Sequence, residues 1–196
     1  ELASLETKRG GEAVSCWVPE EVDYKEFASW NEYDTFLYGV FHQDFIEHRP
    51  IFRGLEVHPR NNPRFEGREE SYWHLTCRDY GHSDGAPESR DPDLARCRRI
   101  KWPRAFIEHY LECKSHDIDA DECAGVIVWE STHKPKKGRP KPRIKLFLEE
   151  EQYLLILEQR REYYLLITAY RVDEDWKLKS IAREARKKGA NAGSAC

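Results

Sequence analysis

Residues 163–172 read Tyr-Tyr-Leu-Leu-Ile-Thr-Ala-Tyr-Arg-Val, and this stretch decides the fold class. An apolar run of this length, bounded by polar turns, describes a β-strand. Strand side chains alternate between two faces. Regular alternation puts Tyr164, Leu166, Thr168 and Tyr170 on one face and Tyr163, Leu165, Ile167 and Ala169 on the other. The first face passes from apolar to hydroxyl-bearing near the strand end. Thr168 and Tyr170 therefore either satisfy local hydrogen bonds or belong to a site.

Working outward, Arg143–Glu149 and Tyr153–Gln159 read as two more strands, and short polar turns join all three. That is the pattern of an antiparallel meander. Val126–Ser131 adds a strand before it, and Ile51–Val57 a short one near the start. Residues 72–79 alternate as well. Trp73, Leu75 and Cys77 make an apolar face, and Tyr72, His74, Thr76 and Arg78 a polar one. From Asp23 to Glu47 the apolar spacing is helical, broken at Asn31 or Gly39 and stopped by Pro50. Residues 93–112 read as a helix kinked at Pro103, with Leu94, Ile100, Phe106, Ile107 and Leu111 inward. Asp173–Lys188 is a polar, basic-ended helix.

Helices first and strands later predict an α+β class. The expected architecture is N-terminal helices packed on a curved four- to five-stranded antiparallel sheet, with a C-terminal helix. Residues 21–188 form one domain in this reading, and 1–20 and 189–196 are flexible tails. The chain contains no methionine and starts at Glu1, which reads as a fragment of a longer polypeptide or a chain that has lost its start.

No apolar run reaches the roughly 20 residues of a membrane span. No signal peptide is visible. The six cysteines are irregularly spaced, without a CxxC pair, and read as reduced thiols of a cytoplasmic protein. His74-x-x-Cys77 and Cys113-x-x-His116 have ligand-like spacing. A strand would point His74 and Cys77 to opposite faces, so no metal site and no cofactor is assigned. The formal net charge of −4 speaks against a nucleic-acid partner, yet the charge is unevenly distributed. Residues 19–34 are acidic, whereas residues 134–145 carry cations and no acid. A basic segment tracks a polyanion even on an acidic protein, because screening is short-ranged.

His74 is the leading catalytic candidate, since an imidazole exchanges protons near neutral pH. Arg96, Arg98, Arg99, Lys101 and Arg104 crowd the second helical region, with Arg90 just before it. Arg96 and Arg99, three apart on one helix face, suit a phosphate. Lys136, Lys137 and Arg139 lie in the proline-stiffened segment 134–142, suited to phosphate contacts that do not read sequence.

These features together resemble a known group. Trp73-His74 is followed by Arg90, then by Arg-Cys-Arg-Arg-Ile-Lys-Trp at 96–102. Val-Trp-Glu at 128–130 leads to the meander that ends Leu-Leu-Ile-Thr-Ala-Tyr at 165–170. Over residues 25–172 the chain resembles the phage- and toxin-associated branch of the BECR-fold ribonucleases, named for barnase, EndoU, the RNase colicins and RelE. The resemblance implies a metal-independent endoribonuclease toxin that cleaves tRNA or another structured RNA on the concave sheet face. It implies an antitoxin or immunity protein as a second partner. His74 would act as acid or base. Arg99 or Lys101, with Arg96 or Arg90, would hold the phosphate. Thr168 would position it, and Tyr170 would orient a base or share in proton transfer. Arg104 and the 136–139 cations would bind substrate. Several relatives use a second histidine, which is not identifiable here. The alternative is a non-catalytic nucleic-acid-binding module that uses the 134–145 loop.

Overall fold

The computed structural model describes residues 17–78, 91–112, 125–135, 138–188 and 190–191. A short 3-10 turn at Tyr24–Glu26 leads into helix α1 (Trp30–His42), which runs on as a wider π-helical turn at Gln43–Glu47. The Ser29 hydroxyl caps α1 by accepting from the Glu32 N–H at 3.3 Å. Tyr33, Leu37, Phe41 and Phe45 recur every fourth residue and are buried. Strands β1 (Ile51–Phe52) and β2 (Leu55–Pro59) form a hairpin. Its two turn residues, Arg53 and Gly54, both take positive φ, as a tight hairpin turn requires.

Helix α2 (Glu70–Thr76), strand β3 (Cys77–Arg78), strand β4 (Asp91–Pro92), helix α3 (Leu94–Cys97) and helix α4 (Trp102–Glu108) follow. Then come β5 (Ile127–His133), β6 (Lys141–Leu148), β7 (Tyr153–Gln159) and β8 (Tyr164–Arg171). Helix α5 (Asp175–Lys188) and strand β9 (Ala190–Asn191) complete the described chain. No helix among the described residues is long and apolar enough to cross a membrane.

The class is α+β, and β5 to β8 form the antiparallel meander. The sheet is larger than the expected four to five strands, and it is mixed. Among the described residues seven strands lie in the order β1-β2-β8-β7-β6-β5-β9, and β2 runs parallel to β8. A parallel pair needs a long crossover, and the chain from α2 through β7 supplies it. Trp17 and Val18 pack against the core, and Ala190 and Asn191 pair with β5, although both stretches read as tails.

The sheet buries two faces unequally. The inner face, with Leu146, Leu155, Leu157 and Leu166, meets the N-terminal helices and contains the main core. On the outer face α5 lays Ile181, Ala182 and Ala185 over Trp129, Phe147, Leu154 and Ile156. The rest of that face is lined with clefts.

Three local expectations are corrected. In β8, Ile156 faces Thr168 while Leu157 faces Leu166, so Ile167 is an extra residue. This bulge reverses the alternation. Tyr164, Leu166 and Ala169 join the inner core, and Thr168 and Tyr170 turn to the outer face. Residues 70–76 are helical, not a strand. Tyr72, Leu75 and Thr76 are buried at i, i+3 and i+4. The Thr76 hydroxyl donates to the Tyr72 carbonyl at 2.9 Å, which lets a polar residue sit on the buried helix face. The 93–112 region holds two short helices, because Pro103 sits in the first turn of α4 and begins a helix there instead of kinking one. Leu94 and Leu111, expected inward, are exposed.

Leu155 is fully buried at the centre of the meander. Leu155→Ala should lower unfolding stability by about 2–5 kcal/mol, read as a lower urea midpoint with an unchanged m-value.

Candidate active-site cleft

The cleft forms where β2 ends. Pro59 pairs with Leu166, and beyond that point α2 takes over the flank of β8. The Ser71 hydroxyl donates to the Leu166 carbonyl at 2.8 Å. The Thr168 hydroxyl donates to the His74 carbonyl at 3.3 Å. On its other side α2 is tied to α1, since the Tyr72 hydroxyl donates to Asp34 Oδ1 at 2.6 Å and Arg68 pairs with the same oxygen at 2.7 Å.

The end of α2 leaves carbonyls without helical partners. Arg96 Nη1 donates to one of these, the His74 carbonyl, at 2.7 Å, and to the Cys77 carbonyl just past the helix at 2.9 Å. Arg96 is itself set by the short helix α3, whose N-cap Asp93 accepts from the Ala95 and Arg96 N–H groups. Asp93 also pairs with Arg78 at 3.0 Å. Burial pulls the Arg96 guanidinium below its usual pKa, and Asp93 opposes that pull.

His74 faces Glu70 one helical turn earlier, with Nε2 3.1 Å from Oε1. The Glu70 side chain is only 3% exposed, so its charge acts on the imidazole with little screening. Such a carboxylate stabilises an imidazolium. The cleft holds about 480 Å³, and His74, Arg78, Arg96, Thr168, Tyr170 and Lys177 are among its lining residues. Two cations sit over the Tyr170 ring, Arg96 at 5.1 Å and Lys177 at 4.8 Å from the centroid. The arrangement thus combines an imidazole backed by a buried carboxylate, two hydroxyls and several cations. It suits proton transfer on an anionic substrate.

Four residues singled out in the sequence meet here: His74, Arg96, Thr168 and Tyr170. Four others among the described residues do not. Arg99 is paired with Glu21, donates to the Ala95 carbonyl at 2.7 Å and stacks over Trp102, so it does not join Arg96 on a phosphate. Lys101 is exposed and lies over Phe36. Arg104 binds Asp44 and Glu108. Their own carboxylate and carbonyl partners explain the split, since Glu21 and the Ala95 carbonyl engage Arg99 and Asp44 and Glu108 engage Arg104. Arg139 is exposed and lies outside the cleft. Arg90, Lys136 and Lys137 lie outside the described residues.

Arg78 and Lys177 line the cleft and Glu70 backs His74, and none of the three is a site candidate in the sequence. The spacing Glu70-x-x-x-His74 carries the signal for Glu70, but only when the segment is read as a helix. Both His74 and Cys77 line the cleft, contrary to the strand geometry, while Cys113 and His116 lie outside the described residues. Among the described residues no three metal-ligating side chains gather. A scan of protein-family models finds no match, and searches of curated proteins and of solved structures find none either.

Arg96→Ala removes two charge-assisted bonds and should cost at least about 1.5–3 kcal/mol, measured by urea unfolding. Asp44, beside Arg104, tests a different kind of burial. Desolvation raises its carboxyl from 3.8 to about 6, against the pull of Arg104. The folded state then holds this proton more tightly than the unfolded chain, so stability falls as pH rises through that window. Asp44→Asn should gain stability relative to wild type between pH 4 and pH 7, read as a growing difference in urea midpoints.

Proposed function

We propose that the protein is a metal-independent endoribonuclease that cuts tRNA or another structured RNA. One observation carries the reading. His74, Arg96, Thr168 and Tyr170, drawn from three separate elements, line one cleft beside a buried carboxylate. The resemblance to BECR-fold ribonucleases supplies the reaction class, and the cleft contains the groups that class needs.

In this mechanism the His74 imidazole takes the proton of a ribose 2′-hydroxyl, and Glu70 stabilises the imidazolium that results. The 2′-oxygen attacks the adjacent phosphorus, and the bond from phosphorus to the 5′-oxygen breaks. The leaving oxygen takes a proton, for which the Tyr170 hydroxyl is the nearby donor. The products are a 2′,3′-cyclic phosphate and a 5′-hydroxyl. Arg78, Arg96 and Lys177 offset the charge that builds on phosphorus. Thr168 keeps α2, and with it His74, against β8. The same reading makes the protein a toxin acting on cytoplasmic RNA, restrained by an antitoxin or immunity protein.

The test is incubation with total tRNA in EDTA and analysis of the ends produced. Wild-type protein should yield cyclic-phosphate ends, and His74→Ala should slow cleavage by about 10²–10⁴-fold. Cleavage at the wild-type rate by His74→Ala would sink this reading. Binding without cleavage by the wild type would leave a non-catalytic nucleic-acid-binding module.

A further inference from the structure

A second cleft, of about 520 Å³, adjoins the first on the outer face, and Ile167 lines both. Its floor is a row of paired positions across the sheet. Arg143 faces Glu158, Glu158 faces Leu165, and Leu165 faces His58. The Glu158 side chain is only 3% exposed, yet Lys141 lies 3.7 Å away, Arg143 4.0 Å away and Arg160 closer still. One buried carboxylate thus gathers three cations that would otherwise repel one another. The cluster keeps two positive charges in excess, and Arg60 adds another at the cleft. Such an excess selects an anion.

An aromatic pair stands beside the cations. The Tyr163 ring is braced by His58, with centroids 4.6 Å apart and planes 35° from parallel. His58 is in turn fixed by Glu56 at 2.8 Å. A phosphate-holding cluster next to a braced ring fits a nucleotide whose base is unpaired, because stacking needs an open base face. A bare phosphate or an acidic protein segment would leave the ring unused.

We propose that this second cleft is a nucleotide subsite for single-stranded RNA, holding an unpaired nucleotide next to the one cut in the first cleft. The placing of this nucleotide next to a cleaved one rests on the ribonuclease reading given above, whereas the binding of an unpaired nucleotide rests on the cations and the ring. The cations take the phosphate, and Tyr163 carries the base. The substrate is then an exposed loop or an unpaired strand of a structured RNA.

Fluorescence anisotropy with a labelled oligonucleotide made wholly of 2′-O-methyl nucleotides tests this, because such a ligand lacks the attacking hydroxyl. The single strand should bind about tenfold or more tighter than its duplex. Tyr163→Ala should weaken single-strand binding by about tenfold, and Tyr163→Phe should restore it. Arg60→Gln should weaken binding and make its salt dependence shallower. Equal binding of single strand and duplex, or wild-type binding by both Tyr163→Ala and Arg60→Gln, overturns the subsite. Wild-type protein that shows the expected binding but leaves unmodified RNA intact would overturn the ribonuclease reading and keep the subsite. Cleavage of RNA with wild-type binding by both variants would do the reverse.

Discussion

The extra residue in β8 is the constraint on which the outer face depends. A strand without it would carry Thr168 and Tyr170 on the same side as Tyr164 and Leu166, which is the apolar core. Two hydroxyls would then need partners in the driest part of the molecule. The bulge at Ile167 spares them that burial and re-aims both toward solvent. It occurs where β2 ends, so the flank of β8 passes from a parallel strand to a helix at the same point. Sheet register and the position of α2 are thereby fixed together.

Charge is organised around buried carboxylates more than around basic stretches. Asp93 orders Arg78 and Arg96, Glu70 faces His74, and Glu158 gathers Lys141, Arg143 and Arg160. Each carboxylate is nearly removed from solvent, so each holds its cations with little screening. This explains how a chain of net charge −4 keeps cationic clefts. The negative excess lies elsewhere, including the exposed residues Glu20, Glu26 and Glu32. Arg96 shows the cost of this economy. Its Nη1 is engaged with two carbonyls, so it steadies the cleft wall as much as it offers charge.

The meander and the α+β order were legible because long apolar runs with short polar turns admit one reading. Segment 70–76 was not legible, because seven residues fit either period and Ser71 and Thr76 are polar yet buried. The bulge left no trace in residue type, since Ile167 suits a regular strand equally well. Two errors in the site cancelled: a wrong element for His74 and a wrong face for Thr168 still brought the two together. The arginine cluster misled in the opposite way. Residue type pointed to phosphate for Arg99 and Arg104, whereas Glu21 and Asp44, from distant parts of the chain, engage them, with Glu108 one turn along also holding Arg104.

The parallel pairing of β2 with β8 bears on the order of folding. Val57 meets Tyr164 across much of the chain, whereas β5 to β8 pair with near neighbours in sequence. Closing a long loop costs entropy before any contact repays it, so distant pairings are slow to form. Loop-closure entropy thus favours early pairing within the meander and later docking of β2 with the α2 flank. Both clefts need that docking. The outer surface with its clefts is therefore assembled from segments far apart in the chain and is complete only in the fully folded molecule.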